Sequence, residues 1–355
     1  MSDQPIRVAV IGAGEFGRNH VRVWRELANS PSMAGKIELA GVVDEDAERA
    51  EKVAKEFGTP VLRDVYALVA AHIDAVSLAV PTKEHCRIGC LLLDFGIDLL
   101  VEKPMASSLR EADGLIASAK RSNHILQVGH VERFNPAVAA AQKLVSNPLF
   151  FEVHRLGVFT PRSLDIDVVY DVMIHDLDIL LALVDAPVTD LKAVGIPVIT
   201  EKVDIAHARI EFSTGAVANL TASRVSTERV RKMRFFQAHE YISLDFTRQD
   251  VLRIRVKSGA PSAPPGQPAA QPEIGFEKLP TTQEEPLRAE LRSFYDCVRT
   301  RSNPVVDGAA GRRALELADR VMAGIQEHAR RVQPPSPAGE PGREMAPAPA
   351  QGTLR

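Results

Sequence analysis

The apolar positions of the first 130 residues come in short runs separated by segments with helical spacing. Ile6–Ile11 is a brief β-branched run stopped by glycine, as expected for a strand buried on both faces. A helix is predicted from about Glu15 to Leu27, then a strand over Ile37–Val43 closed by Asp44-Glu45-Asp46, then a helix over 47–57. Ala75–Val80 and Asp98–Val101 read as further strands, with the amphipathic segment Lys83–Phe95 between them. Another helix is expected over 107–121 and another strand over Leu126–Val128. Strands alternating with helices at this spacing predict a parallel sheet covered on both faces.

After about residue 130 the period changes. Phe150–Phe159, Asp190–Ile199, Ala206–Phe212 and Ala216–Ser223 are longer and alternate, with Ser213-Thr214-Gly215 as a tight hairpin turn. Residues 230–256 continue in that style, so a largely antiparallel sheet with one packed face is expected. A helix at roughly 168–184 interrupts it, and helices resume at about 286–300 and 308–331. The predicted fold is therefore α/β: a parallel-sheet domain over 1–128, then an α+β domain over 129–332 with a large, mostly antiparallel open sheet. Segment 258–275, with five prolines, is expected to be a flexible loop, and 333–355 a disordered tail.

Composition narrows the function. The 355 residues suit two domains, and 45% apolar with 25% charged residues suits a soluble globular chain. A formal net charge of -3 with no basic block gives no support to a nucleic-acid partner. Met1–Pro5 shows no basic segment followed by an apolar stretch, so no signal peptide is expected. No apolar run approaches the roughly 20 residues a membrane helix needs. Cys86, Cys90 and Cys297 form no framework and read as reduced residues of a cytoplasmic protein. No cluster of histidine, cysteine and carboxylate has metal-ligand spacing, so no metal is expected.

Gly12-Ala13-Gly14-Glu15-Phe16-Gly17 is a G-x-G-x-x-G between a strand and a helix. Glycines there serve a tight turn, close approach to a pyrophosphate, and close helix–strand packing, while the helix start offers free N–H groups. A ligand-free tight turn is the plainer alternative. Asp44, ending the second strand, is placed to accept from ribose hydroxyls, or else to cap the next helix. With Glu45 and Asp46 beside it, and the nearest arginine, Arg49, a turn into the helix, NAD is favoured over NADP.

Val101-Glu102-Lys103-Pro104 ends the run counted as the fifth strand, at the edge where such sheets bind ligands. Lys103 there can donate to a hydroxyl or a developing carbonyl, or be an ordinary surface lysine. Asp171 and His175 stand i,i+4 on a predicted helix, where a carboxylate beside an imidazole would orient it and raise its basicity. Asp178 lies near the same face, and a polar helix face is the alternative for all three.

Taken in order, the glycine motif, Glu102-Lys103-Pro104 and Asp171-x-x-x-His175 resemble the glucose–fructose oxidoreductase / inositol dehydrogenase / MocA family over about residues 6–330. The resemblance implies a Rossmann NAD domain and a site of Lys103, Asp171 and His175 beside the nicotinamide, with His175 as general acid/base and Lys103–Pro104 cis. It also implies that Pro81, Thr82 and His85, after the fourth strand, lie near the nicotinamide ribose. Val128–Pro136, Phe159–Ser163 and Met173–Asp176 further resemble members that oxidise the 3-hydroxyl of UDP-N-acetylglucosamine for an aminotransferase of 3-amino-sugar lipid A synthesis. On that resemblance Arg133, Asn135 and Arg162 contact substrate, the arginines pairing with its diphosphate; surface arginine is the alternative. A homodimer or homotetramer is implied. Open rivals are a dehydrogenase of a free sugar or inositol, a reductase working in the opposite direction, and a non-catalytic NAD-binding sensor or scaffold.

Overall fold

The computed structural model describes residues 4–160, 166–257 and 273–332. Arg162, residues 258–272 of the expected loop and the tail 333–355 lie outside the described residues. The first part alternates as the pattern predicts: β1 (Ile6–Ile11), α1 (Glu15–Asn29), β2 (Ile37–Val43), α2 (Ala47–Phe57), α3 (Val65–Ala70), β3 (Ala75–Leu78), α4 (His85–Asp94), β4 (Asp98–Glu102), α5 (Leu109–Ser122) and β5 (Leu126–Gly129). The strands pair in parallel in the order β2-β1-β3-β4-β5. The runs before Pro81 and Lys103 are thus the third and fourth strands, not the fourth and fifth. Between α2 and α3 the chain forms an isolated bridge, Val61 to Val42.

From β1 the chain passes to β2 on one side and later to β3 on the other. The loops after β1 and β3 therefore flank a crevice at the carboxyl edge, the position where open α/β sheets bind ligands. Side-chain caps close most helix starts: Asp46 accepts from the Arg49 N–H, Asp64 from Ala67, and Ser108 from Glu111. At α1 the cap residue is Gly14, with no side chain to offer.

The second sheet comprises β6 (Pro148–Leu156), β7 (Val188–Ile196), β8 (Ile205–Phe212), β9 (Val217–Ser223), β10 (Val230–Gln237), β11 (Glu240–Asp245), β12 (Asp250–Lys257) and β13 (Glu273–Leu279). Its order is β13-β12-β11-β10-β6-β9-β8-β7, antiparallel except for the parallel β6–β9 pair. Strand β13 takes in residues 273–275 of the expected loop. It lies at the sheet edge with Phe276 71% exposed, so burial imposes little pattern on it.

Helices α6 (Pro136–Gln142), α7 (Ile174–Leu183), α8 (Pro286–Thr300) and α9 (Gly308–Val332) complete the described chain. Alternate strand residues such as Phe151, Val153, Ile210 and Phe235 pack in one core with Ile174, Leu177 and Leu180 of α7 and Val321 of α9. Each such fully buried side chain contributes roughly 1.5–3 kcal/mol. Helix α8 turns back to the first sheet, where Leu287, Leu291 and Phe294 join Trp24 and Leu27. Val306 and Ala310 join the core on the sheet's other face. The last two helices thereby lock the two sheets together, with the crevice between them.

Candidate active site

A cleft of about 1180 Å³ runs from the glycine loop, past the ends of β3 and β4, to the ends of β6, β9 and β10. Its cofactor side is built from backbone. Gly12 has φ +95°, and a Cβ there would stand 2.3 Å from the Ala79 carbonyl oxygen. A Cβ on Gly17 would stand 1.8 Å from the Gly12 oxygen, so glycine is required for the turn and for helix–strand packing. At Gly14 a Cβ would meet nothing within 4 Å. That glycine therefore leaves room beside the uncapped start of α1, and a pyrophosphate accepting from those N–H groups fits there. Glu15 is exposed in the first turn, and Phe16 lines the cleft, 38% exposed.

Asp44 accepts from the Ala13 N–H at 2.5 Å and from the Asp46 N–H at 2.9 Å, so it ties the glycine loop to the end of β2. The cap of α2 is Asp46, not Asp44. Arg49 reaches back to within 3.6 Å of Asp44 and 3.0 Å of Asp46, placing a cation beside the carboxylates. Its remoteness therefore gives no reason to exclude a 2′-phosphate.

Pro81, Thr82, Glu102 and Lys103 line the cleft, and the Lys103–Pro104 bond is cis. Glu102 is nearly buried and meets His20 Nε2 at 3.0 Å. His85, expected near the nicotinamide ribose, is buried instead. Its ring stands 2.9 Å from the Val80 oxygen and 3.0 Å from that of Pro104, which pins the turn after β3 to the cis-proline turn.

Lys103, Asp171 and His175 come together in the cleft, but not in the expected pairing. Residues Val169–Met173 form a π-helical turn ahead of α7. The wider turn breaks the i,i+4 register and sends Asp171 to Lys103, whose Nζ donates to its Oδ1 at 3.1 Å and its backbone oxygen at 2.6 Å. His175 Nδ1 has no partner, so no carboxylate orients the ring. Burial, followed by the charges of Lys103, Arg155 and Arg231, holds the His175 imidazole well below its ordinary pKa. It is therefore neutral near pH 7, with a lone pair able to take a proton.

Two expected substrate contacts serve the scaffold. Arg133, 10% exposed, donates to Asp178 Oδ1 at 3.2 Å and does not line the cleft. Asn135 is buried: it caps α6 through the Ala137 N–H and donates to the Phe246 carbonyl. The 3₁₀ turn 131–134 and the cap that follows it direct both inward.

Sequence reasoning missed the cationic wall of the cleft. Arg155 and Arg231 face each other across β6 and β10, and Arg224 and Arg229 continue the wall. Arg155 is held by two bonds to Asp176, at 2.7 and 2.8 Å, and one of 2.8 Å to Glu132. Its guanidinium lies 4.8 Å from the Phe246 ring centroid. Arg224 pairs with Asp204 at 2.8 Å. Arg229 pairs with no carboxylate among the described residues. A signal was present: Arg155 and Arg231 continue the in-pointing phase of Phe151–Val153 and Met233–Phe235.

A Gly-rich turn on a helix start, a lysine at the carboxyl edge and a neutral imidazole in one cleft define a dinucleotide-dependent oxidoreductase. The chain belongs to the GFO/IDH/MocA oxidoreductases. Residues 6–130 match the model of the oxidoreductase family's NAD-binding Rossmann fold, and 154–239 that of the GFO/IDH/MocA C-terminal domain. UDP-N-acetylglucosamine 3-dehydrogenase of Acidithiobacillus ferrooxidans is 36% identical, covering 90% of this chain and 97% of that protein. Its solved structure superposes with a TM-score of 0.81, over 90% of this chain and 98% of that one. The scyllo-inositol 2-dehydrogenase (NAD(+)) of Bacillus subtilis is 27% identical, covering 86% of this chain and 89% of that protein. Levoglucosan dehydrogenase in complex with NADH and L-sorbose, 18% identical with a TM-score of 0.79 over 91% of this chain and 98% of that one, shares the fold. Among the described residues no helix is long and apolar enough to cross a membrane, no group of side chains suits a metal ion, and all three cysteines are free thiols.

Proposed function

We propose that the chain is an NAD-dependent dehydrogenase that oxidises the 3-hydroxyl of UDP-N-acetylglucosamine. The observation that carries this reading is the arginine wall facing the cofactor cradle across one cleft. A free sugar offers no charge to Arg229 and Arg231, whereas a sugar diphosphate offers acceptors suited to them, with the carboxylate-paired Arg155 and Arg224 beside them. The 36% identical UDP-N-acetylglucosamine 3-dehydrogenase supports the same substrate.

In this reaction His175 takes the hydroxyl proton, and Lys103 donates to the same oxygen as it becomes a carbonyl. Asp171 fixes the Lys103 ammonium through its side chain and backbone oxygens. The bound dinucleotide supplies a hydride acceptor. Gly12, Gly14, Glu15, Phe16 and Gly17 hold its pyrophosphate end, Asp44 its adenosine ribose, and Pro81, Thr82, Glu102 and Lys103 its nicotinamide end. NAD is preferred because Asp44, Glu45 and Asp46 outnumber Arg49, which is already paired with two of them. Residues 1–128 then serve the cofactor and 129–332 the substrate. The ketone suits an aminotransferase making a 3-amino sugar of the lipid A type, in the cytoplasm. The open face of the second sheet, with Leu252 and Phe276 exposed, suits assembly into a homodimer or homotetramer.

The test is NAD and NADP reduction across UDP-N-acetylglucosamine, other UDP-sugars, free sugars and inositols, with a carbonyl trap to draw off product. Turnover confined to UDP-N-acetylglucosamine with NAD, giving a 3-keto product, is expected. Turnover only on inositols would replace the substrate. Cofactor binding without any turnover would leave a sensor. His175→Asn should lower turnover by roughly 10²–10⁴-fold and leave NADH binding intact.

A further inference from the structure

One edge of His175 faces the cleft, and on the other its Nδ1 is buried without a partner. Behind it stands a second imidazole in the same condition. His130, just after β5, is 1% exposed, and neither of its ring nitrogens has a hydrogen-bond partner. The two rings meet edge to face with centroids 6.2 Å apart. That separation is too wide for a direct N–H···N bond and suits one bridging water. Asp178 adds another orphaned atom: Oδ1 receives Arg133, while Oδ2 is buried and unpartnered. Buried polar groups almost always have partners, and a cluster of orphaned ones marks a place for ordered water.

Charge around the two rings is unequal. His175 is surrounded by the cations Lys103, Arg155 and Arg231, which oppose a positive imidazole. His130 is faced by the carboxylates of Asp178 and Glu102, together with Lys103 and Arg133. A base placed among cations holds a proton poorly, and the neighbour beside two carboxylates offers the proton a better place.

We infer that His130 is a positioning and proton-sharing residue: through one water it fixes the tautomer of His175 and receives its Nδ1 proton. The substrate O–H bond breaks as N–H forms on His175 Nε2. The Nδ1–H of His175 breaks as an O–H forms on the bridging water, whose own O–H breaks as N–H forms on His130, and the C–H electron pair leaves as hydride to the dinucleotide. The positive charge then rests beside Asp178. This rests on the proposed role of His175 as the base.

Two variants separate fixing the tautomer from sharing the proton. Glutamine at 130 can hydrogen-bond to a water but cannot take up a proton, and phenylalanine can do neither. Nitrogen-15 NMR of histidine-labelled full-length protein without substrate reads the tautomer, with His175→Asn assigning the signal. A single tautomer with Nδ1 protonated is expected in the wild type and in His130→Gln, and a mixture in His130→Phe. An unchanged His175 signal in folded His130→Phe would overturn the link, and where that variant does not fold, mixed tautomers in the wild type would overturn it.

Single-turnover rates in H₂O–D₂O mixtures then count the protons in flight on whichever sugar the enzyme turns over. The wild type should show three, and His130→Gln one, with kcat lowered roughly 10–100-fold at unchanged KM. A one-proton wild-type profile would overturn the proton sharing. Silence on every sugar would defeat the proposed reaction and with it the proton sharing, while the NMR result would still decide the link between the two rings.

Discussion

The two walls of the cleft are built on opposite principles. The cofactor wall is backbone: Gly12 and Gly17 pack against main-chain atoms, Gly14 faces open space, and Asp44 accepts N–H bonds from the loop. The opposite wall is side chain: arginines on strand ends, with Arg155 and Arg224 held in place by buried carboxylates. The first fails by collision and the second by stranded charge. A wall made of backbone is specific for a shape common to all dinucleotides, whereas a wall of side chains can be rewritten to suit a different substrate.

The largest expected effect lies in the side-chain wall. Arg155→Met should strand Asp176, 2% exposed, without its counter-charge and leave Glu132, 9% exposed, with only Arg231 at 3.9 Å. A loss of about 3–5 kcal/mol in unfolding free energy is expected, read by urea titration. A loss below 1 kcal/mol would mean that the arginine is there for substrate alone.

Folding also sets a pH dependence inside the protein. Burial lowers the pKa of His85, His130 and His175 from the usual 6.5. Their contribution is full above pH 6.5 and is lost as pH falls below it, because only the unfolded chain takes up those protons. Glu290 runs the other way. Its carboxyl is buried with both oxygens unpartnered, and burial lifts it well above the usual 4.5. Its contribution is full below pH 4.5 and is lost as pH rises. The three histidines outnumber Glu290, so stability should fall as pH drops below 6.5. Glu290→Gln should steepen that fall, and an unchanged slope would show that Glu290 is ionised in the folded chain.

In the backbone wall, Gly17→Ala should destabilise by about 3 kcal/mol, because its Cβ would overlap the Gly12 oxygen. Gly14→Ala should fold like the wild type, since its Cβ meets no protein atom. It should still weaken NADH binding by roughly tenfold, about 1.4 kcal/mol, read by fluorescence titration. Unchanged NADH binding in Gly14→Ala would contradict a phosphate position beside Gly14.

What was legible in the sequence follows the same division. The glycine loop, Lys103 at a strand end and the two periodicities are local, so spacing alone located them. Asp171 and His175 were found but paired wrongly, because a π-turn is set by packing and leaves no mark in an i,i+4 pattern. Arg133 and Asn135 were assigned to the substrate by resemblance, yet the 3₁₀ turn and helix cap direct them inward. Arg155 and Arg231 lie 76 positions apart, and only strand pairing brings them together. Their departure from apolar alternation on a packed face was the visible clue.

The smallest change gives the most direct measurement of the central claim, that the arginine wall reads a diphosphate. It is the ratio of kcat/KM for UDP-N-acetylglucosamine to that for N-acetylglucosamine, in the wild type and in Arg229→Ala. Because Arg229 is exposed and carries no structural ion pair among the described residues, its loss should leave folding intact. The ratio should fall by roughly tenfold, about 1.4 kcal/mol, with the rate on the free sugar unchanged. An unchanged ratio, or equal loss on both substrates, would contradict a diphosphate bound at this wall.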